Sequence, residues 1–524
     1  MLSHEQLLEF WHSLVKVFIR SRNKVAKKTR HNIKENYSSY CNLENLIRDI
    51  REKMEKSTAP HILVLPFPAE GHVKPMFNLG KLLSHRGQRI TYVNTHYNYK
   101  RLLHFTDIGS FNTQFPDFHF ASITDGVPDD YHPPNEFEMI ISPTSRSKVA
   151  KEFRQLFSSF VEKPSCLIAD GLMSTIAMDV AQDFGVPLIT FRTYSATATW
   201  VSIHVSKIIQ EGLIDLQDPE DMDKVLASIP GLENLLRECD LPSILKLKPG
   251  SLYLDFYIKE TLAMTRASSL ILNTFDQLEA PIITKLATIF PKVYTIGPLH
   301  TLIKTQFTNN SSSSLHLRKE DRSCITWLNH QKAKSVLYVS FGTLVKLSHE
   351  QLMEFWYGLV SSLKPFLWVI RQDLIIGEGG LGHNVPMELE LGTKKRGLMV
   401  DWAPQEEVLA HPTVCAFLTH SGWNSTLECI TEGVPMLCWP LIADQTINSR
   451  CVSEQWGIGL DMNGACDRLV VEKMVKNVME NQIRLTSSAN EIAKKARDSV
   501  KENGSSFHNI ENLINDIRST RARK

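Results

Sequence analysis

The segment Leu418–Glu428, LTHSGWNSTLE, carries small, hydroxylated and charged side chains where an apolar strand passes into a helix. Backbone N–H groups at a helix start lack partners within the helix, so such a start binds anions. Gly422 permits close backbone approach, and Glu428, about one turn beyond the helix start, can accept hydrogen bonds from a ribose diol. Four further side chains can cap the helix and donate to phosphate oxygens: Ser421, Asn424, Ser425 and Thr426. The segment predicts a nucleotide diphosphate site; alone, it also fits an ordinary capped helix start.

A second candidate for chemistry is His72, in a predicted loop between the strand Ile62–Leu65 and the helix Lys74–His85. Group transfer to a hydroxyl needs a base, and the unperturbed pKa of histidine lies near neutrality. The carboxyl end of a strand delivers the residues that follow it into a ligand cleft. Most of the 19 histidines are expected to be structural, but this context predicts that His72 is a general base.

Size, charge and cysteine usage limit the class of protein. A chain of 524 residues predicts two domains. The net charge of +1, without a basic stripe among aromatic residues, argues against a nucleic-acid partner. Nine scattered cysteines without a C-x-x-C pair favour a reducing compartment. The chain shows no membrane-spanning apolar run or signal peptide, so we expect a cytoplasmic protein. We also expect a monomer.

Strand-like runs alternate with helical segments in two parts of the chain. The first part contains ILVL, RITYVN, SCLIAD, PLITF and SLILN, and the second contains SVLYVSFGT, FLWVIR, GLMVDWAP, CAFLTHSG and PMLCWP. This alternation predicts two parallel sheets covered on both faces. Residues 301–314, which include TNNSSSS, are predicted to be a linker by composition. Two such domains leave a cleft between them, where ligands bind.

Residues 1–56 duplicate two later parts of the chain. LSHEQLLEFWHSLV from Leu2 matches LSHEQLMEFWYGLV from Leu347, and SRNKVAKKTR from Ser21 matches SANEIAKKAR from Ser488, at a different offset. A solenoid would keep one period over several units. We interpret residues 1–56 as the abridged tail of a related coding sequence, loosely attached to a complete protein.

The stretch from Trp402 to Gln445, WAPQEEVLAHPTVCAFLTHSGWNSTLECITEGVPMLCWPLIADQ, resembles the signature box of plant family 1 UDP-sugar glycosyltransferases. W-A-P-Q, H-S-G-W-N-S, the later Glu and the final D-Q all stand in register. The resemblance covers roughly residues 57–520. It implies an α/β fold of the GT-B type, with two Rossmann-like domains facing a cleft and a closing C-terminal helix. The expected boundaries are 57–300 for the acceptor domain, 315–500 for the UDP-sugar domain and 501–524 for the C-terminal helix and tail.

The resemblance also implies roles for individual residues. Trp402 matches the residue that stacks on uracil, the backbone of Ala403 pairs with the base edge, and Glu428 binds the ribose. The other donor-site matches are Gln405 in W-A-P-Q; His420, Asn424, Ser425, Ser340 and Thr343 on the phosphate side; and Trp423, Asp444, Gln445 and Thr193 near the sugar. Relatives that use glucose commonly carry Gln at position 445. An amide both donates and accepts, so Gln445 is expected to hold two neighbouring hydroxyls.

The same resemblance supports the catalytic assignment. The family's base lies in a similar G-H-x-x-P turn, and Asp170, after the strand SCLIA, matches the carboxylate that orients it. Departures from the family pattern are small. Cys415 and Ala416 stand where relatives usually carry glycines, and Glu70 replaces a frequent Gln, which bears on acceptor fit.

Metal dependence is the main chemical alternative, because another glycosyltransferase architecture binds its donor through D-x-D and a divalent ion. DMD occurs at 221–223, but in a polar stretch far from any phosphate loop. GEGGLG at 377–382 lacks a strand-to-helix context and reads as a surface loop. The helix start and His420 can hold a leaving diphosphate. We therefore expect no metal and no cofactor, with UDP-glucose as co-substrate.

These features predict inverting transfer of glucose from UDP-glucose to a small lipophilic acceptor. ITDGVPDD, FRTYSATATW, DRSCITWLNHQ and DMDKVLASIPGLE are most similar to glucosyltransferases of 7-deoxyloganetic acid, so an iridoid or other terpenoid acid or alcohol is the expected acceptor. A UDP-sugar epimerase would need a further pair of carboxylates. The remaining alternative is a non-catalytic UDP-sugar-binding protein or a defective gene-fusion product, which the duplicated N-terminus suggests and the intact His72, Asp170 and Asp444 oppose.

Overall fold

The computed structural model describes residues 59–126, 140–210, 225, 229–248, 250–307, 318–371, 374, 387–480 and 482–522. The extension 1–56, the TNNSSSS part of the expected linker, DMD and GEGGLG lie outside these residues. Within the described part of the chain, every helix is too short or too polar to cross a membrane.

The first half of the fold is a seven-stranded parallel sheet with the order β3-β2-β1-β4-β5-β6-β7. Its strands are β1 (His61–Leu65), β2 (Arg89–Thr95), β3 (Phe118–Ile123), β4 (Cys166–Asp170), β5 (Leu188–Arg192), β6 (Ser269–Leu272) and β7 (Val293–Thr295). The inner strands are continuous apolar runs because both faces of the sheet are buried. The strand order reverses between β1 and β4, and ligands of open α/β sheets bind at such a switch point.

Nine helices of the described chain accompany this sheet: α1 (Glu70–His85), α2 (His96–Phe105), α3 (Ile108–Gln114), α4 (Pro143–Ser159), α5 (Ser174–Phe184), α6 (Ala196–Gln210), α7 (Leu252–Met264), α8 (Asp276–Leu286) and α9 (Leu299–Gln306). Residues 301–306, expected to be linker, are therefore helical. Leu299 and Leu302 are fully buried in the core of the first sheet, and their burial outweighs the polar composition that follows them.

The second half is a six-stranded parallel sheet with the order β10-β9-β8-β11-β12-β13. Its strands are β8 (Val336–Ser340), β9 (Phe366–Val369), β10 (Gly397–Val400), β11 (Val414–Thr419), β12 (Met436–Cys438) and β13 (Gly459–Asp461). The associated helices are α10 (Ser323–Leu328), α11 (His349–Ser361), α12 (Met387–Arg396), α13 (Gln405–Ala410), α14 (Trp423–Glu432), α15 (Gln445–Arg450), α16 (Arg468–Glu480) and α17 (Gln482–Ser499). Here the order reverses between β8 and β11.

The last helix, α18 (Ser505–Ala522), returns to the first sheet. Ile510, Leu513 and Ile514 are buried in the same apolar cluster as Ile62 of β1. Asn509 Nδ2 also donates to the backbone oxygen of Thr295 in β7, at 3.1 Å. These contacts confirm the expected closing C-terminal helix.

Removal of residues 1–57 is expected to leave the melting temperature and the turnover unchanged. The removed residues repeat later helical segments without the strands that those segments cover, whereas residues 60–524 form one compact unit. Thermal unfolding and steady-state rates of a chain beginning at Thr58, compared with the full chain, test this. Loss of folding in the shorter chain would contradict the joined-fragment interpretation.

Candidate active site

His72 and Asp170 meet at the switch point of the first sheet. Asp170 ends β4, and His72 follows the adjacent strand β1. His72 Nδ1 lies 2.7 Å from Asp170 Oδ2, and Asp170 is fully buried. Asp170 Oδ1 accepts from the backbone N–H of Leu172 at 2.8 Å. The expected loop at His72 is wrong, because helix α1 already begins at Glu70 and places His72 in its first turn.

Thr193 is a second partner of the same histidine nitrogen. Its Oγ1 lies 2.9 Å from His72 Nδ1, just beyond the end of β5. An ionised carboxylate can only accept, so the proton of a neutral His72 belongs on Nδ1. Nε2 is then the nitrogen that can take up a proton.

The start of α1 contacts the start of α14. Pro75 lies inside α1 and has no N–H to donate to the carbonyl of Gly71, four residues earlier. Asn424 Nδ2 donates to that carbonyl at 2.8 Å. Because of Pro75, the carbonyl of Gly71, next to His72, is available to accept a hydrogen bond from a residue of the second half.

Among the residues that the structure describes, no side chain caps α14, so the predicted capping is wrong. The N-cap is Gly422, which has no side chain, and Ser421 precedes it with a φ of 63°. Asn424 instead reaches Gly71, and Ser425 Oγ accepts from Gln405 Nε2 at 2.9 Å. The first turn of α14 therefore keeps backbone N–H groups that no side chain satisfies, as an anion site requires.

His420 lies between two glycines at the switch point of the second sheet. A Cβ on Gly342 would lie 2.4 Å from His420 Nε2, and one on Gly422 would lie 2.5 Å from it. Desolvation, helped by the charge of Arg371, lowers the pKa of His420 to about 4. Its imidazole is therefore neutral at pH 7. Ser340, buried at the end of β8, and Thr343, half-buried in the following turn, lie on either side of Gly342 in the chain.

Glu428 is held from both sides. Gln405 Nε2 donates to its Oε2 at 2.7 Å, and Lys74 Nζ of α1 donates to its Oε1 at 3.1 Å. Lys74 also contacts Glu406 Oε1 at 2.8 Å. Each carboxylate oxygen has two lone pairs, so both oxygens of Glu428 retain an acceptor position.

Trp402 and Ala403 precede α13 at the same edge of the second sheet. Ala403 is buried and Trp402 is half-buried. The guanidinium of Arg318 lies 5.3 Å from the centroid of the Trp402 ring. Arg318 Nε also lies 3.5 Å from Glu70 Oε2. Glu70, which stands where relatives frequently carry Gln, therefore places a carboxylate beside the arginine that contacts Trp402.

At the sugar end, two side chains already have partners within the protein. Trp423 is 3% exposed and its indole N–H donates to the Asn273 backbone oxygen at 2.8 Å, so this N–H is already used within the protein. Gln445 Oε1 accepts from the backbone N–H groups of Leu441 and Ile442, both at 3.0 Å. The amide oxygen of Gln445 is thus engaged by its own loop, and the expected contact of this amide with two sugar hydroxyls stays a prediction.

The comparisons with known proteins decide the family. A family model described as "UDP-glucoronosyl and UDP-glucosyl transferase" matches residues 250–488. The chain is 43% identical over 478 residues to a 7-deoxyloganetic acid glucosyltransferase of Catharanthus roseus, covering 89% of this chain and 98% of that relative. The chain belongs to the UDP-glycosyltransferase family.

Solved structures confirm the architecture of this UDP-glycosyltransferase. Os79 from O. sativa in complex with UDP matches with a TM-score of 0.73 at 28% identity, covering 87% of this chain and all (100%) of that chain. A Medicago truncatula glycosyltransferase complexed with UDP-glucose matches with a TM-score of 0.72 at 25% identity, covering 88% and 98% of the two chains. The GT-B fold with two facing Rossmann-like halves is thus confirmed.

A small cavity lies at the carboxyl ends of β1, β2 and β3 of the UDP-glycosyltransferase. Its lining is mostly apolar: Leu65, Pro66, Pro68, Val93, Ile123, Ile140, Val149 and Met173, with Asn94, Thr95, Asp125 and Arg146 as the polar members. Arg146 is paired with Glu260, and Asp125 accepts from the backbone of Tyr97 at 3.0 Å. The two charged side chains of the lining are therefore already engaged within the protein.

Sequence reasoning missed Lys74 and Asn448. Asn448 is fully buried, and its Nδ2 donates to Asp444 Oδ2 at 2.7 Å and to the Ser421 backbone oxygen at 3.0 Å. Ser195 Oγ of the first half donates to Asn448 Oδ1 at 3.0 Å. Burial raises the pKa of Asp444 to about 6, although this amide opposes the shift. The sequence signal that could have identified Asn448 is its spacing, because it lies about one helical turn after Asp444.

Among the described residues of the UDP-glycosyltransferase, no group of three or more His, Cys, Asp or Glu side chains is arranged to hold a metal ion. The expected independence of a metal stays a prediction.

Proposed function

We propose that this enzyme transfers glucose from UDP-glucose, with inversion, to a small lipophilic acceptor, an iridoid or other terpenoid acid or alcohol. The observation that carries the proposal is the 2.7 Å contact between His72 Nδ1 and Asp170 Oδ2 at a switch point. It orients an imidazole whose Nε2 is a base for an acceptor hydroxyl. The first turn of α14, with its uncapped N–H groups, is linked to that same turn of α1.

The reaction is a single displacement. His72 Nε2 takes the proton of the acceptor hydroxyl as its oxygen attacks the anomeric carbon of UDP-α-glucose. The new carbon–oxygen bond forms on the face opposite the diphosphate, and the bond to the diphosphate oxygen breaks, with its electron pair leaving on UDP. Asp170 stabilises the imidazolium, which then releases the proton to water, and the product is a β-glucoside.

Retention of configuration by double displacement would require a nucleophile, typically a carboxylate, on the face of the anomeric carbon opposite the diphosphate. Asp170 is fully buried, with one oxygen on His72 and the other on the Leu172 N–H. Its two oxygens are thus used for positioning, which favours the single displacement.

The donor roles proposed for the second half follow its geometry. The uncapped turn at Asn424 and Ser425, with neutral His420, Ser340 and Thr343, would hold the diphosphate. Glu428 with Gln405 would bind the ribose, and Trp402 with Ala403 the uracil. Asp444, Gln445 and the Trp423 backbone would meet the sugar, while Thr193 supports His72.

Two observations favour a small terpenoid acceptor. The cavity at the ends of β1–β3 is largely apolar, which suits a lipophilic molecule with few polar groups. The relative at 43% identity is a glucosyltransferase of 7-deoxyloganetic acid. Incubation of the full chain with UDP-glucose and a panel of terpenoid and phenolic acids and alcohols, read by mass spectrometry and by NMR of the anomeric proton, tests acceptor class and configuration. An α-glucoside product would reject inversion.

UDP-glucose is expected to outcompete UDP-galactose, and Gln445→Ala is expected to reduce that preference by roughly tenfold, the effect of about one hydrogen bond. The Gln445 oxygen is bound by its own loop, so the amide N–H₂ is the group left for a sugar hydroxyl. Competition between the two donors at equal concentration, with the products separated by chromatography, measures the preference. A wild-type preference for UDP-galactose or UDP-glucuronate would reject the donor assignment.

A further inference from the structure

One turn of helix joins the proposed base to the proposed donor site. The first turn of α1 carries His72, and the carbonyl of Gly71 accepts from Asn424 at 2.8 Å. Lys74 reaches Glu428 at 3.1 Å. Two contacts therefore connect this turn to the helix α14 that would hold the donor.

The contact at Glu428 arranges a pair of neighbouring acceptors. Lys74 uses one lone pair of Oε1 and Gln405 uses one lone pair of Oε2. The Glu428 side chain is only 5% exposed, so these two partners determine its orientation. One acceptor position remains on each of the two oxygens, which matches two hydroxyls on adjacent carbons.

We propose that Lys74 is a positioning residue for the donor, acting through Glu428 on the ribose diol of UDP-glucose. It holds the Glu428 carboxylate for the 2′- and 3′-hydroxyls and ties the turn that carries His72 to the donor helix. The inference rests on the proposed function, in which Glu428 binds the ribose.

Lys304 of α9 provides a matched control. Its Nζ lies 3.0 Å from Glu406 Oε2, so Lys74 and Lys304 share Glu406 as a partner. The Lys74 and Lys304 side chains are similarly exposed, at 43% and 52%. Of the two lysines, only Lys74 forms an ion pair with Glu428 in the described part of the chain.

The test measures the affinity of the full chain for UDP and for 2′,3′-dideoxy-UDP by calorimetry in wild type, Lys74→Met, Lys74→Arg and Lys304→Met. Lys74→Met is expected to weaken UDP binding by roughly tenfold and to leave dideoxy-UDP binding within about twofold, as for loss of one charge-assisted hydrogen bond. Lys74→Arg should restore most of the loss, and Lys304→Met should bind both ligands like wild type. In steady state, Lys74→Met should raise KM for UDP-glucose more than it lowers kcat.

Equal weakening of both ligands in Lys74→Met would show that Lys74 acts on the diphosphate or on the fold, and would overturn the inference. Unchanged UDP binding in that variant would overturn it as well. If the wild-type enzyme binds UDP and dideoxy-UDP equally well, Glu428 does not bind the ribose hydroxyls. If the wild-type enzyme binds neither ligand, the proposed function itself is rejected. Dideoxy-UDP thus separates failure of the inference from failure of the function.

Discussion

His72→Ala is expected to lower turnover on an alcohol acceptor by about 10²–10⁴-fold, the usual contribution of a general base. Alanine removes Nε2, the nitrogen that the Nδ1 contact with Asp170 leaves available. The affinity for UDP should stay close to that of wild type, because the proposed ligands of UDP lie in the second half of the chain. Steady-state kinetics and UDP calorimetry on the same preparation measure the two effects. Near-normal turnover on an alcohol would contradict the mechanism.

Acceptor chemistry provides the control for this prediction. A carboxylic acid acceptor is already ionised at neutral pH, so its attack requires no proton removal. Its turnover should be less sensitive to His72→Ala than that of an alcohol. Asp170→Asn is the matched variant, because its amide oxygen can still accept from Leu172 while its N–H₂ donates to His72 Nδ1 and leaves the proton on Nε2. Asp170→Asn should therefore also slow an alcohol more than an acid.

Gly342→Ala is expected to weaken UDP binding by roughly 10–100-fold, the range for loss of a hydrogen bond to a charged group. Gly342 has a φ of 68°, and a Cβ there would lie 2.4 Å from His420 Nε2. The ring must move away from the switch point, where we propose that it contacts the diphosphate. Calorimetry with UDP measures the loss.

Gly185→Ala is the control for backbone strain. Gly185 ends α5 with a φ of 62°, and a Cβ there meets no atom within 4 Å. Both variants place alanine in the left-handed region, so both should lower the free energy of unfolding by about 1–2 kcal/mol. Only Gly342→Ala should also lower UDP affinity. If Gly342→Ala binds UDP with the affinity of wild type, the proposal that His420 contacts the diphosphate is wrong.

The elements that carry the site followed from local patterns. Buried parallel strands are short apolar runs such as ILVL and SCLIA, so their carboxyl ends can be located in the sequence. His72 and Asp170 were predicted from those ends, and the structure places them 2.7 Å apart. The start of α14 was likewise recognisable as an anion site from residue types and spacing.

Local patterns failed where a side chain had two possible partners. Ser425 and Asn424 have the chemistry of helix caps, but Gln405 and Gly71 are their partners in the structure. The oxygen of Gln445 is used by its own loop. Each choice depends on which groups the fold brings within hydrogen-bond distance, and residue type does not contain that information.

By itself, the sequence determined the two parallel sheets and the family, because apolar periodicity and a long motif are local properties of the chain. Only the tertiary structure decided which side chains meet across the cleft. Lys74 and Glu428 are 354 residues apart in sequence and 3.1 Å apart in space, and Asn448 joins Asp444 to Ser195 of the first half. Such contacts form only when both halves are folded and packed, since the entropy of fixing distant residues is offset by the burial of both cores together.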